Sequence, residues 1–198
     1  MKIYILRHED RTMDATFFSP LTREGLDNSI KLIELLTKHK IDKIYSSPFI
    51  RTLQTVTPYC KSSNLPINID YSLSEIQHPH IIPEKSYQIT LPLYLAESFN
   101  CNPKYTSLFN PVDHVYPETD VHVKKRVKRF MSKLLTDELK SNYNVLIVTH
   151  QVVCNIILKY ATCKTDLKIE ITNTYPKGAL TQIFDKDKWM CEPINWNI

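Results

Sequence analysis

Hydrophobic positions recur along the chain with two periods, and these periods predict an alternation of strands and helices. Residues 2–6 alternate and are rich in β-branched and aromatic side chains, which is typical of a strand. Residues 145–148 are an unbroken apolar run within a strand predicted at 144–149, and such a run indicates a buried parallel strand. The remaining predicted strands span residues 41–45, 67–69 and 179–184.

The segments between the strands show helical spacing. The first helix is predicted to follow Thr22 as its N-cap. A second is predicted to open at Ser47-Pro48, with the proline in the first turn, where its missing N–H costs nothing. Residues 152–160 form a further, apolar helix. The apolar stripe of the first helix comprises Leu26, Ile30, Ile33 and Leu36. Strands that alternate with helices predict an α/β three-layer sandwich around a mostly parallel central sheet.

Residues 77–117 differ from the rest of the chain, because prolines and aromatic residues are scattered through them without a sustained period. An irregular stretch of this length inside a compact domain is usually a lid or a binding loop, and disorder is the alternative. We therefore predict one domain over residues 1–198, with a lid or specificity insertion at about 77–117. Helical spacing returns at 120–139, with one side formed by Val123, Val127, Phe130, Leu134 and Leu135.

Composition is that of a soluble globular protein, since 42% of the 198 residues are hydrophobic and 23% are charged. No stretch approaches the roughly 18 apolar residues that span a membrane, and the apolar start is too short for a signal peptide, so a cytoplasmic location is expected. The cysteines are odd in number and form no CxxC pair, which excludes a disulfide framework and a structural zinc pattern. Reduced and mostly buried thiols are expected at Cys60, Cys101, Cys154, Cys163 and Cys191.

Charge is a weaker indication of function. The formal net charge is +4, and most of the excess lies in Lys124-Lys125-Arg126 and Lys128-Arg129. Such a stripe can contact nucleic acid or a membrane surface. It is more often the solvated face of a helix, so neither nucleic acid nor a membrane is the expected partner. The oligomeric state stays open.

The chain contains only two glycines, Gly25 and Gly178. The Walker phosphate loop and the dinucleotide fingerprint need several glycines for close backbone approach, so both are excluded. No metal site is indicated, because His78-Pro79-His80 lacks helical spacing and is better explained by surface histidines in a loop. Any phosphate would therefore be held by side chains, and no cofactor is expected.

Reactive side chains occur where predicted strands end. Arg7, His8 and Arg11 follow the first strand. Arg51 lies in the first turn of the helix after the second strand, and His150 ends the long apolar strand. Ligands bind beyond the carboxyl ends of the strands in parallel α/β sheets, so these side chains are expected to converge at one edge. Each has an ordinary structural explanation alone, and their joint occurrence is what predicts a site.

These residue types suit the transfer of a phosphoryl group. Guanidinium groups bind phosphoryl oxygens in bidentate fashion and stay charged at working pH. A neutral imidazole can attack phosphorus and leaves readily when the phosphoramidate is hydrolysed. Positioning and charge stabilisation do most of the catalysis in such reactions, and a nearby carboxylic acid is wanted to protonate the departing alkoxide.

Four sequence blocks carry a family resemblance. They are Leu6-Arg7-His8, Ser19-Pro20-Leu21-Thr22-x-x-Gly25, Tyr45-Ser46-Ser47-Pro48-x-x-Arg51-Thr52-x-Gln54-Thr55 and Val148-Thr149-His150. In this order and at these spacings, they resemble the histidine phosphatase (phosphoglycerate-mutase-like) superfamily from the start of the chain to about residue 184. The first block is a weak signature alone, whereas the third is much more specific.

The resemblance implies a role for each basic residue. His8 would be the nucleophile that becomes phosphorylated, and Arg7 and Arg51 would bind phosphate. His150 would bind and stabilise the transferred group. Arg11 resembles the additional phosphate-binding arginine of an Arg-His-Gly-Glu-Arg branch.

Two acidic residues and two departures complete the comparison. Glu75 stands where many members place the proton donor, and the alternative is that it is a surface glutamate. Glu118 resembles the glutamate of a Gly-Glu-Ser motif, which makes it a further candidate for the pocket. Glu9 and Gln151 stand where the family usually has glycine. Glu9 could crowd the pocket and weaken phosphate binding, or it could point away from the pocket.

The resemblance implies a metal-independent, histidine acid phosphatase-type enzyme that hydrolyses phosphate monoesters of small molecules or proteins. A phosphoglycerate-type mutase is less favoured, because the segment between Glu75 and Glu118 does not resemble that of the mutases. The alternative from another class is an inactive relative that binds a phosphate ligand or regulates a partner. Aromatic residues of the insertion would either line the mouth of the pocket or form the core of the lid, and these are Tyr87, Tyr94, Phe99 and Tyr105.

Overall fold

The core of the fold is a sheet of six strands in a computed structural model that describes residues 1–84, 90–162, 175–185 and 189–195. The strands are β1 Lys2–Arg7, β2 Lys43–Ser46, β3 Ile67–Ile69, β4 Val145–Thr149, β5 Leu180–Asp185 and β6 Trp189–Pro193. Their order across the sheet is β3-β2-β4-β1-β5-β6. The first four strands pair in parallel, and the last two pair antiparallel. The predicted mostly parallel sheet is therefore confirmed, and β6 is an addition that the hydrophobic pattern did not indicate.

Helices cover both faces of this sheet. They are α1 Arg23–Thr37, α2 Ile50–Ser63, a single turn α3 Leu93–Ala96, α4 Asp120–Ser141 and α5 Gln151–Thr162. Because successive strand residues point to opposite faces, Tyr4 and Leu6 pack with α1 and α2, whereas Ile3 and Ile5 pack with α4 and α5. The apolar side predicted for α4 is buried at all five positions. The three-layer α/β sandwich is confirmed.

The face of α1 that is buried differs from the face that its apolar stripe predicts. Leu26 is 42% exposed and Ile30 is 57% exposed, whereas the buried row of the helix is Gly25, Ser29, Leu32 and Leu36. Gly25 decides this orientation, because a β-carbon there would lie 2.1 Å from the backbone oxygen of Asp10. Thr22 caps the helix as predicted by accepting a hydrogen bond from Gly25 N–H. The small residues thus bring α1 against the loop that follows β1.

The second helix begins later than predicted. Phe49 is its N-cap, so Pro48 precedes the helix and is not in its first turn. The reason is that Ser47 still belongs to the sheet edge, where its N–H donates to the carbonyl of Val148 at 3.0 Å. Arg51 falls in the first turn of α2, as predicted.

The described parts of residues 77–117 are irregular but packed. Ile82 is buried against Phe17 and Phe49, and the Tyr105 hydroxyl donates to Asp70 Oδ2 at 2.6 Å. Among the residues described, no helix is long and apolar enough to cross a membrane. The thiols of Cys60 and Cys154 are buried, those of Cys101 and Cys191 are partly exposed, and all four are free, while Cys163 lies outside the described residues.

Candidate active site

The site forms where β1, β2 and β4 end side by side. Arg7 is in register with Thr149 of β4. The hydrogen bonding between β1 and β4 continues one residue further, because His8 N–H donates to the carbonyl of Thr149 at 3.0 Å. The rings of His8 and His150 consequently lie 5.3 Å apart between centroids, in an edge-to-face arrangement. The sheet therefore brings together two histidines that are 142 residues apart in the sequence.

The ring of His8 is buried and held in one tautomer. Its Nδ1 lies 2.8 Å from the backbone carbonyl oxygen of Glu9. A carbonyl oxygen can only accept, so Nδ1 carries the proton of the neutral ring and Nε2 keeps its lone pair. Burial lowers the pKa of His8 well below its usual value, and the charge of Arg51 lowers it further. His8 is therefore neutral at physiological pH, as a nitrogen nucleophile must be.

Two arginines supply fixed positive charge. Arg51 is only 2% exposed, and its Nη1 donates to the carbonyl of Thr16 at 2.9 Å. Its guanidinium lies over the Phe49 ring, 4.5 Å from the centroid. Arg7 donates through Nη1 to the carbonyl of Tyr175. The buried Nε of each arginine has no hydrogen-bond partner among the residues described.

The charges of these arginines persist despite burial. Burial lowers the pKa of Arg51 to about 9, and Glu75 opposes that shift. The guanidinium therefore remains positive at neutral pH. Arg11 lies close enough to lower the pKa of Arg7, His8 and Arg51, although its Nη1 donates to the carbonyl of Thr12 at 2.6 Å. Three arginines thus act on one histidine.

His150 is fully buried and fixed by a residue to which sequence reasoning gave no role. Its Nε2 lies 2.8 Å from the hydroxyl of Ser47, and its ring packs edge-on against Phe49 at 4.9 Å. The Ser47 hydroxyl accepts from Phe49 N–H at 3.4 Å, so its own proton is available for His150 Nε2. That arrangement suits the tautomer in which Nδ1 of His150 carries the proton. The signal for Ser47 was its place in the most specific sequence block.

Glu75 lies beside His150, and the charge of Arg51 acts on its carboxyl group. Its Oε2 is 3.7 Å from His150 Nδ1, which is too far for a hydrogen bond, and its Oε1 accepts from Ile76 N–H at 3.0 Å. Burial raises the pKa of Glu75, while the charge of Arg51 opposes that rise. A buried carboxyl group of this kind retains its proton to a higher pH than an exposed one, as a general acid requires.

Glu118 is paired with a residue of the basic stripe. Its Oε1 accepts from Arg126 Nε at 2.7 Å, and its Oε2 accepts from Arg126 Nη2 at 3.0 Å. Burial alone would raise the pKa of Glu118, but the Arg126 guanidinium lowers it overall. The interpretation of the stripe as a solvated face is therefore wrong for Arg126, which is 2% exposed, and holds for its exposed neighbours Lys124, Lys125, Lys128 and Arg129.

The carboxyl group of Glu9 lies against α1 and the turn before β5. A β-carbon at Gly178 would lie 2.2 Å from Glu9 Oε1, and the carboxyl group hydrogen-bonds with Asn28 of α1. Burial raises the pKa of Glu9 to about 7. Gln151 is partly buried as the first residue of α5.

The aromatic residues of the insertion do not form a common wall. Tyr94 is 71% exposed, and Phe99 packs on the core beneath α1 and α2. Tyr105 stacks edge-on against Tyr45, at 5.5 Å between ring centroids. Tyr87 lies outside the described residues. For Phe99 and Tyr105, the structure favours the alternative that they form core.

A buried histidine after the first strand, two arginines and a second histidine, set in a three-layer sandwich, define the phosphoglycerate-mutase-like class of α/β proteins. The chain belongs to the histidine phosphatase superfamily (branch 1), whose sequence model matches residues 4–197. No curated protein sequence matches the chain. Among the described residues, no group of three or more His, Cys, Asp or Glu is placed to hold a metal ion.

Solved structures of similar fold cover nearly the whole chain. The ecdysone phosphate phosphatase of Bombix mori is 16% identical, with 100% of this chain and 95% of that one covered and a TM-score of 0.75. A mycobacterial glucosyl-3-phosphoglycerate phosphatase is 18% identical, with 98% of each chain covered and a TM-score of 0.66. The α-ribazole phosphatase of Shigella flexneri is 20% identical, with 98% and 95% covered and a TM-score of 0.65. Identities this low show the fold alone.

Proposed function

We propose that this protein is a phosphatase that hydrolyses phosphate monoesters through a phosphoryl group held transiently on His8. The observation that carries the proposal is the environment of that ring, which is neutral, held by the Glu9 carbonyl in the tautomer with a free Nε2, and influenced by three arginines. A surface or capping histidine needs none of these features. The carboxyl group of Glu9, which could have added negative charge to the pocket, lies against Gly178 and Asn28 instead.

In the first step, the lone pair of His8 Nε2 attacks phosphorus, the N–P bond forms and the ester P–O bond breaks. Arg7 and Arg51 bind the phosphoryl oxygens through donors that include their unpartnered Nε atoms, with Arg11 as a further cation. The protonated Glu75 gives its proton to the departing alkoxide. His150 donates from Nδ1 to a phosphoryl oxygen, because Ser47 occupies its other nitrogen.

In the second step, water attacks phosphorus and the N–P bond breaks. Glu75 is now a carboxylate and takes a proton from that water, which restores its acid form and yields inorganic phosphate. His8 leaves as the neutral imidazole. All groups return to their starting state without a metal or another cofactor, and the organic part of the substrate would contact the insertion at about 77–117.

The comparisons support this class of substrate. The three solved proteins described above are named as phosphatases, and two of them were solved with tungstate or with vanadate, oxyanions that resemble phosphate. They differ in the alcohol that is released, so they support phosphate monoesters as a class and leave open whether a small molecule or a protein carries the phosphate.

The test of the proposal is hydrolysis of p-nitrophenyl phosphate by the purified protein without added metal. Turnover should persist in EDTA, and rapid quenching should trap phosphate bound to the protein in an acid-labile, alkali-stable form, as expected of a phosphoramidate. Loss of turnover in EDTA, or bound phosphate that survives acid, would contradict the phosphohistidine mechanism. Tight binding of vanadate without any turnover would instead favour the inactive, phosphate-binding relative.

Replacement Glu75→Gln should affect esters according to their leaving groups. We expect a loss of about 10²-fold in kcat for phenyl phosphate, whose basic phenoxide leaving group needs a proton, and a loss of only a few-fold for p-nitrophenyl phosphate. Since burial raises the pKa of Glu75, the wild-type advantage with phenyl phosphate should be present at low pH and fall as pH rises through that raised pKa. Equal losses on both esters would remove Glu75 from the role of acid.

A further inference from the structure

The carboxyl group of Glu75 is held by few contacts of its own. Among the residues described, Oε1 accepts only from the N–H of the next residue, Ile76, and Oε2 is 3.7 Å from His150 Nδ1. A side chain with so little direct support takes its position from its backbone. The fixed points of that backbone therefore determine where the acid lies.

The backbone around Glu75 is fixed by α4. Arg126 Nη1 donates to the carbonyl of Ser72 at 2.6 Å, and Arg126 Nη2 lies 3.4 Å from the carbonyl oxygen of Glu75 itself. The same guanidinium makes the two contacts with Glu118 described above. Four of its five N–H donors are therefore used inside the protein, and the side chain is buried.

Glu118 holds the other end of the same segment. Its Oε2 accepts from Gln77 N–H at 3.0 Å, and its own N–H donates to the carbonyl of Gln77 at 2.6 Å. The pair thus forms hydrogen bonds with the backbone on both sides of Glu75, at Ser72 and at Gln77. Both side chains are buried, where removing one partner leaves a charge uncompensated.

We propose that the buried Arg126–Glu118 pair is a positioning unit that holds Glu75, the acid of the proposed reaction, beside His150. This inference rests on the proposed phosphatase function. It gives Glu118 an indirect role in place of contact with phosphate, and it assigns a role to a residue that the sequence placed on a basic helix face. Neither member of the pair touches the substrate.

The test is a double-mutant cycle with two esters. Arg126→Lys keeps the charge but loses the planar guanidinium with its several N–H donors. It should lower kcat for phenyl phosphate about tenfold or more and kcat for p-nitrophenyl phosphate less than threefold. In Glu75→Gln/Arg126→Lys, the additional loss on phenyl phosphate should disappear, because no acid remains to be positioned. Arg129→Lys, on the same helix and exposed, is the matched control and should change neither ester.

Glu118→Gln is the second variant, and it keeps the test valid if Arg126→Lys does not fold. It should also lower kcat for phenyl phosphate more than kcat for p-nitrophenyl phosphate. In the Glu75→Gln background, this additional loss on phenyl phosphate should again disappear. Equal losses on both esters, or losses that add to that of Glu75→Gln, would overturn the positioning role and leave only a structural one. A wild-type protein that hydrolyses neither ester would refute the proposed function itself, which is a different result.

Discussion

His8→Ala is expected to lower the turnover of p-nitrophenyl phosphate by about 10⁴-fold or more, with little change in melting temperature. The variant removes the nitrogen that forms the bond to phosphorus, and no neighbouring group can replace it. Nε2 of His150 is already occupied by the hydroxyl of Ser47. Within the described part of the chain the ring makes one hydrogen bond, to the carbonyl of Glu9, so its loss should cost more activity than stability.

The measurement is steady-state hydrolysis together with trapping of the phosphorylated protein. His8→Ala should yield no acid-labile phosphate on the protein, whereas His80→Ala, which removes an exposed histidine of the insertion, should behave as wild type. A variant that retains more than a tenth of wild-type turnover would show that the nucleophile is misassigned. Retained turnover without trapped phosphate would favour direct attack by water.

Arg51→Ala is expected to cost about 10²–10³-fold in kcat/KM, which is typical of removing one fixed donor or cation from a developing anion. The guanidinium is buried, aligned by the carbonyl of Thr16 and the ring of Phe49, and has a donor without a partner. Arg51→Lys should recover only part of the loss, because an ammonium group cannot form the bidentate contact. Lys128→Ala, on the exposed face of α4, is the control and should lose less than twofold.

The pH profile of Arg51→Ala offers a second readout. The charge of Arg51 lowers the pKa of His8, so wild-type His8 stays neutral and nucleophilic to low pH. Without that charge the pKa of His8 rises, and activity should begin to fall at a higher pH as the solution is made more acidic. An Arg51→Ala profile that superimposes on that of the wild type would mean that Arg51 does not act on His8. Equal losses in Arg51→Ala and Lys128→Ala would show that the pocket is misplaced.

Much of the fold was predictable because its signals are local. The apolar run of β4 and the side chains of α4 that repeat at helical spacing are buried as expected. The rotation of α1 was not predictable, because the contact of Gly25 with Asp10 decides it against the hydrophobic stripe. The strand β6 was missed because it contains a proline and shows no clear alternation, and its existence depends on pairing with β5.

The site was predictable to the extent that it lies at strand ends. The side chains of His8, Arg51 and His150 converge because parallel strands in register bring their last residues to one edge. The supporting contacts were not predictable in this way. Ser47 reaches His150 across 103 residues, and Arg126 in a run of basic residues gives no sign in the sequence that it is buried. Such partners depend on tertiary packing.

The contact between Glu9 and Gly178 has an evolutionary consequence. The two residues share one volume, since a β-carbon at position 178 would meet the Glu9 carboxyl group, and the backbone there adopts a φ of +66° that favours glycine. Position 178 therefore cannot readily accept a side chain while glutamate occupies position 9, because its backbone favours glycine and the Glu9 carboxyl group would have to move. In sequences that share a recent ancestor with this one, glutamate at position 9 should therefore be inherited together with glycine at position 178. The pair would mark the lineage that carries glutamate directly after His8.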